Sequence, residues 1–248
     1  MSAFRLPDQI AADWDDLDVA ARLTSLRRAV PGRLVFTTSF GAEDQALTHL
    51  IAEAGLDIEL ATLDTGRMFP ETYDVWVETE ARYGLKVRAF LPERGKLADY
   101  VDQNGINGFR HSVDARKACC GVRKVEPLRR ALAGATGWIT GLRADQSDAR
   151  NSVPWLAYDD GFGILKANPL RDWSRDRVSA FLAAHDVPQN VLHALGFVSI
   201  GCAPCTRAIA PGEPERAGRW WWEESSKECG LHVGPDGRLV RALQEQNA

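Results

Sequence analysis

The chain has 248 residues, 45% of them hydrophobic, and a formal net charge of −4. That length suits one large α/β domain, or a domain with a substantial tail, and the composition can supply a buried core. The acidic balance argues against nonspecific nucleic-acid binding, and no apolar run approaches the roughly 18 residues of a membrane span.

The amino-terminal stretch MSAFRLPDQIAADWDDLD is acidic and lacks the charged-then-apolar layout of a signal peptide, so the expectation is a cytoplasmic protein. RLVFTTSF (33–40) then reads as a buried strand rich in β-formers. AEDQALTHLIAEAG (42–55) has helical spacing, with Leu47, Leu50, Ile51 and Ala54 on one side. DIELATLD (57–64) is a second strand, and PETYDVWVETEARYG (70–84) is a helix opened by proline and closed by glycine. LKVRAFL (85–91) and GWITGLR (137–143) add a third strand and a fourth. Strands alternating with helices over short connections imply a mostly parallel sheet with helices on both faces. Ligands of such sheets sit beyond the carboxyl ends of the strands.

Two strand ends carry suitable chemistry. TSFGAED runs from strand into helix, where amides meet an anion at the positive helix end. LDTG offers an acid and a hydroxyl before a glycine turn. Ser39 and Asp64 equally suit plain turn or helix caps. SRDRVSAFLAAHD (174–186) begins with a serine cap and is amphipathic. Beyond it the chain becomes irregular, with prolines at 188, 204, 211 and 214. Three adjacent tryptophans, 220–222, cannot all face one core, so at least one is expected to cover a ligand or an interface. The division expected is a single domain over 1–220 and a flexible tail over 221–248.

Positive charge is uneven: between Arg110 and Arg130 there are seven Arg or Lys and two acids, a solvated face or a seat for a small anion. Four of the five cysteines form two close pairs, Cys119-Cys120 and Cys202-x-x-Cys205. In a reducing compartment they point to metal or redox chemistry rather than disulfides. A vicinal disulfide needs a strained ring, and one zinc ion seldom takes adjacent ligands. A cubane cluster presents four irons at separate corners, so neighbouring thiolates can reach different irons. Cluster, zinc and uncoordinated thiols stay open at this point, with the cluster favoured by Arg116, Lys117, Arg123 and Lys124 nearby. Cys229 is left over. It is a passenger or a nucleophile, and Lys227 and His232 favour its thiolate while Glu228 opposes it.

KACCGVRKVEPL, ITGLRADQS and GCAPCTRAIAPGEPERAGRWWWEESSKECGLH together resemble the assimilatory adenylyl-sulfate reductases. TTSFGAEDQ and LDTGRMFPETY match that family's amino-terminal half, so the similarity runs from about 33 to 233 and takes in all five cysteines. The resemblance implies an adenine-nucleotide α-hydrolase-like fold related to the PP-loop pyrophosphatases. It implies an enzyme that reduces adenosine 5′-phosphosulfate (APS) to sulfite and AMP in sulfate assimilation, with thioredoxin as reductant and a cysteine S-sulfonate as intermediate. Carried over by motif, Cys119, Cys120, Cys202 and Cys205 would hold one [4Fe–4S] cluster per chain, and Cys229 would be the catalytic nucleophile. Lys124, Arg143, Arg150, Arg216 and Arg219 would bind the substrate's anionic end, although any one arginine alone suits a surface ion pair. Ser39, Leu63 and Thr65 would line the nucleotide end, and Gly141 would let the backbone approach it. Members are often homo-oligomeric. Plant relatives carry a fused thioredoxin-like domain, for which no segment is seen here, so an external reductant is expected. The alternative substrate is the 3′-phosphorylated analogue, PAPS, alone or together with APS. Rivals of other classes are a zinc-stabilised nucleotide-binding protein without catalysis, and ATP-dependent adenylation. The latter typically uses SGGxDS, from which SFGAED departs.

Overall fold

The computed structural model describes residues 7–147 and 150–223. Cys229 and most of the expected tail therefore lie outside the described residues. The helices are α1 (Pro7–Ile10), α2 (Val19–Ala29), α3 (Ala42–Glu53), α4 (Pro70–Tyr83), α5 (Arg94–Asn104), α6 (Val113–Cys120), α7 (Glu126–Leu132) and α8 (Arg175–Ala184). The strands are β1 (Leu34–Thr38), β2 (Glu59–Leu63), β3 (Arg88–Phe90), β4 (Gly137–Ile139), β5 (Leu156–Asp159) and β6 (Ile164–Ala167). They form one sheet in the order β3-β2-β1-β4-β6-β5, parallel except for the edge pair β5 and β6.

Period-two alternation splits each central strand between two apolar layers. Leu34 and Phe36 of β1, Leu60 of β2 and Ile139 of β4 face a core shared with α2, α3 and α8. Val35, Ala61 and Trp138 point the other way, against Leu128, Ala131 and Leu132 of α7. The sheet is thus covered on both faces, as expected. Among the described residues no helix is long and apolar enough to cross a membrane.

The helices end where their side chains require it. Asp18 caps α2 by accepting from the Ala21 amide at 2.8 Å, and Ser174 caps α8 through the Arg177 amide at 3.1 Å. Pro70 opens α4, and Gly84 closes it at φ 60°. The expected strands and helices are present with ends trimmed by a few residues. The β5–β6 hairpin went unforeseen, although apolar runs flanking DDGFG carry a turn signal. The α6–α7 run was also missed, because Gly121 and Pro127 interrupt its helical pattern.

That run holds a local irregularity. Between α6 and α7 the backbone widens into a π turn, Gly121–Val125, with the Glu126 amide bonded to the Gly121 carbonyl. Pro127 has no amide to offer and its ring crowds the carbonyl four residues back, which accounts for the widening just ahead of it. The chain also stays packed beyond 220. The Glu223 side chain is buried in an ion pair with Arg116 at 2.6 Å.

Phe36 is wholly buried at the centre of the sheet. Phe36→Ala should lower unfolding free energy by about 3–5 kcal/mol through lost transfer and a residual cavity. Urea denaturation measures this, and a loss below about 1 kcal/mol would contradict the assigned core.

Candidate active site

The chain order reverses between β1 and β4, since β1 to β3 progress one way and β4 returns to the other side of β1. A crevice at the carboxyl ends of the strands is the usual consequence of such a switch. A cavity of about 210 Å³ opens there. Residues at the ends of three strands line it: Ser39 after β1, Leu63 and Thr65 at and after β2, and Gly141 after β4.

The turn from β1 into α3 is tightly constrained. Phe40 adopts φ 58°, an uncommon left-handed conformation for a non-glycine residue. The Ser39 amide and hydroxyl both donate to Asp44 Oδ2, at 2.6 and 2.8 Å. Ser39 is therefore both a cavity wall and part of a helix-entry cap. Burial pushes the Asp44 carboxyl up from its ordinary 3.8 to about 7, against the lowering effect of the two Ser39 hydrogen bonds. Gly141 allows this wall to close. A Cβ there would sit 2.4 Å from Asp44 Oδ1 and 3.1 Å from Glu43 Cβ.

Lys124, Arg150, Arg216 and Arg219 converge on the cavity. Arg143 does not line it. Its side chain is wholly buried and donates to Glu43 at 2.8 Å and to both Glu215 oxygens at 2.8 and 2.9 Å. Carboxylates thus occupy the planar donor fork of Arg143, which was expected to meet a ligand directly. Asp64 serves as a turn cap, accepting from the Gly66 amide and the Tyr73 hydroxyl, both at 2.8 Å.

The four described cysteines gather around a second, smaller cavity of about 20 Å³. None of the four is in a disulfide. Cys119 and Cys120 end α6, while Cys202 and Cys205 flank a short 3-10 turn. The latter turn is pinned from two sides. The Ala203 amide donates to the Arg67 carbonyl at 2.8 Å, and the Trp220 amide to the Cys205 carbonyl at 3.1 Å. Burial raises the Cys119 thiol, and it raises Cys205 to about 12. Desolvation pushes Cys202 up, but Lys124, the Thr65 hydroxyl at 3.2 Å, Arg219 and Arg123 together bring it below its ordinary value.

Four thiols around one cavity are a donor set of the kind that thiolate-bound clusters use. Among the described residues no three Cys, His, Asp or Glu side chains stand close enough to share one metal ion. A cluster spreads its ligands over separate irons and needs no such closeness. Buried N–H groups around the same cavity have no partner among the described residues: Arg123 Nε, Arg219 Nε and Trp220 Nε1. Such donors suit an anionic, sulfur-rich guest.

The two cavities share a wall of Lys124, Cys202 and Arg219. Arg219 reaches it by lying across Gly201, where a Cβ would stand 2.3 Å from Nη2. Of the tryptophans, Trp220 is buried, Trp222 packs beside the cysteines, and Trp221 remains 38% exposed under Arg110. Motif reading missed several cavity residues, notably Glu43, Asp44, Gln146, His193 and Glu215. Two acids at the start of α3 were a usable signal. His193 offered none, because its place depends on a 3-10 turn far along the chain. Its Nδ1 donates to the Phe197 carbonyl at 2.8 Å, while its buried Nε2 has no partner among the described residues.

Two outcomes follow. Gly141→Ala should weaken binding at the cavity by tenfold or more and also lower thermal stability, because the added Cβ must displace the buried Asp44 carboxyl that caps the entry to α3. Calorimetric titration with AMP checks this, and unchanged affinity would contradict the packing. For Asp44 the folded carboxyl titrates above the unfolded one. Its contribution to stability is complete below about pH 4 and falls as pH rises to about 7. Asp44→Asn should flatten that part of the stability profile in urea midpoints taken across this window.

Residues 33–208 match the phosphoadenosine phosphosulfate reductase domain family. An adenosine 5′-phosphosulfate reductase of Sinorhizobium fredii is 54% identical over 220 residues, covering 88% of this chain and 87% of the relative. One from Allochromatium vinosum is 53% identical over 200 residues, covering 80% and 78%. Among solved structures, a phosphoadenylyl-sulfate reductase from Candida auris superposes with a TM-score of 0.70 at 26% identity, covering 82% of this chain and 95% of that one. An FMN adenylyltransferase of Candida glabrata shares the fold alone, with a TM-score of 0.52 at 15% identity. The matches over most of the chain lead to one conclusion: the chain belongs to the phosphoadenosine phosphosulfate reductase domain family.

Proposed function

We propose that the chain reduces adenosine 5′-phosphosulfate to sulfite and AMP. The observation that carries this reading is the shared wall: a cation-lined cavity at the strand ends meets four gathered cysteines through Lys124, Cys202 and Arg219. An anionic nucleotide fits the first cavity. Its adenosine lies toward Ser39, Leu63 and Thr65, with Gly141 allowing close backbone approach. Its phosphosulfate lies toward Lys124, Arg150, Arg216 and Arg219. Fixed cations hold the substrate and offset the repulsion between an attacking thiolate and the sulfate oxygens.

The nucleophile is Cys229, which lies outside the described residues. Glu223 is packed and Cys229 follows six residues later, so a reach of about 20 Å is available to its thiolate. Attack on the sulfate sulfur forms an S–S bond and breaks the S–O bond to phosphate, so AMP leaves and Cys229 becomes an S-sulfonate. A thiolate of reduced thioredoxin then attacks the cysteine sulfur, which releases sulfite as a two-electron reduced product. The second thioredoxin thiolate resolves the mixed disulfide and regenerates Cys229. Cys119, Cys120, Cys202 and Cys205 would hold a [4Fe–4S] cluster, which supplies fixed charge and order rather than electrons. Lys124 stands between that group and the substrate.

The same cavity could admit PAPS, the substrate named for the Candida auris structure. Initial rates with APS and PAPS at equal concentration separate the two. Cys229→Ser should abolish sulfite release while changing AMP affinity by less than about threefold; retained turnover removes the nucleophile assignment. Protein purified without oxygen should contain about four irons and about four acid-labile sulfides per chain. One zinc and no sulfide would make the four cysteines a structural site.

A further inference from the structure

Arg143, which does not itself line the cavity, is the hub of a polar network. Its Nε holds Glu43 and its Nη2 grips Glu215 with both oxygens, while Nη1 lies 3.3 Å from Asp145. Glu43 Oε1 also accepts from Gln146 Nε2 at 3.0 Å, and Gln146 Oε1 accepts from Arg150. The network therefore runs without a break from Arg150 on one side of the cavity to Glu215 on the other. Glu215 immediately precedes Arg216 and stands four residues before Arg219.

Glu43, Gln146, Arg150 and Glu215 all line the cavity, and Arg143 stands behind them. Two carboxylates on the wall of an anion site would repel the ligand if left bare. Desolvation already raises the Glu215 carboxyl, with Arg143 acting in the opposite sense. Lysine could not replace this arginine, because a point charge cannot bridge two carboxylates in fixed directions as a planar fork does.

We propose that Arg143 is a positioning residue for an anionic nucleotide that it does not touch. It sets the separation of Arg150 from the 215–219 turn, and it neutralises Glu43 and Glu215 so that they do not repel the ligand. This inference rests on the cavity being an anionic-nucleotide site. A residue that only stabilised the fold would affect charged and uncharged ligands alike.

The test uses the full chain carrying Cys229→Ser, so that APS is not consumed, titrated calorimetrically with adenosine, AMP and APS. Arg143→Met should weaken AMP and APS by about tenfold or more while adenosine stays within about twofold. Arg143→Lys, which keeps the charge and perturbs folding less, should show the same selectivity at smaller size. Equal losses on adenosine and the anions in the lysine variant, or no loss in either variant, overturn the positioning role. A parent chain that binds neither AMP nor APS overturns the nucleotide reading itself.

Discussion

Cations gathered around one cavity repel one another, and the structure's central constraint is to keep them close. Lys124, Arg150, Arg216 and Arg219 share one cavity, and carboxylates of Glu43, Asp44 and Glu215 are set among them. Arg143 ties two of these acids together from behind. The result is a wall of alternating sign rather than a positive patch. Interactions between buried or half-buried charges are weakly screened by salt, so their spacing matters more here than it would on the surface. The overall charge of −4 conceals this arrangement, because a net charge carries no positions.

A second constraint concerns the joint between the two cavities. Cys119 and Cys120 end one helix, and Lys124 must face the neighbouring cavity a few residues later. A regular helix would carry the chain past at 100° per residue. The π turn at Gly121–Val125 changes that rotation, and Pro127 imposes it by withholding an amide. Across the wall, the strained Trp220 backbone at φ 40° and its bond to the Cys205 carbonyl hold the other cysteine pair beside Arg219. Local strain of this kind persists only where surrounding packing enforces it. Here the packing includes Arg116, stacked 4.3 Å from the Trp220 ring centre and paired with Glu223.

Much of the fold was legible beforehand because its signals are local. Alternation in RLVFTTSF and helical spacing in AEDQALTHLIAEAG are set by backbone period, which does not depend on distant residues. Strand ends that carry Ser39 and Thr65 follow from the same periods. The α6–α7 run was obscured because its glycine and proline serve a π turn, whereas the same residues usually end helices. The placement of Arg143 was hidden for a different reason. Its motif neighbours are cavity residues, but its partners Glu43 and Glu215 lie 100 and 72 positions away. Asp64 turned out to be a cap, the blander of its two readings, and the hydroxyl of Ser39 does both jobs at once.

By itself the sequence determined the parallel α/β scaffold, the pairing of four cysteines, the basic residues available for an anion and the spacing of Cys229 from the packed domain. These follow from residue types and short-range periods, which act wherever the chain goes. The tertiary structure decided which arginines face the cavity, which one stands behind it, and that Lys124, Cys202 and Arg219 form a wall common to both cavities. It also decided which carboxylates stand among the cations. These are contacts between segments separated by up to about a hundred residues, and only the sheet order and the burial of specific side chains bring them within hydrogen-bonding range.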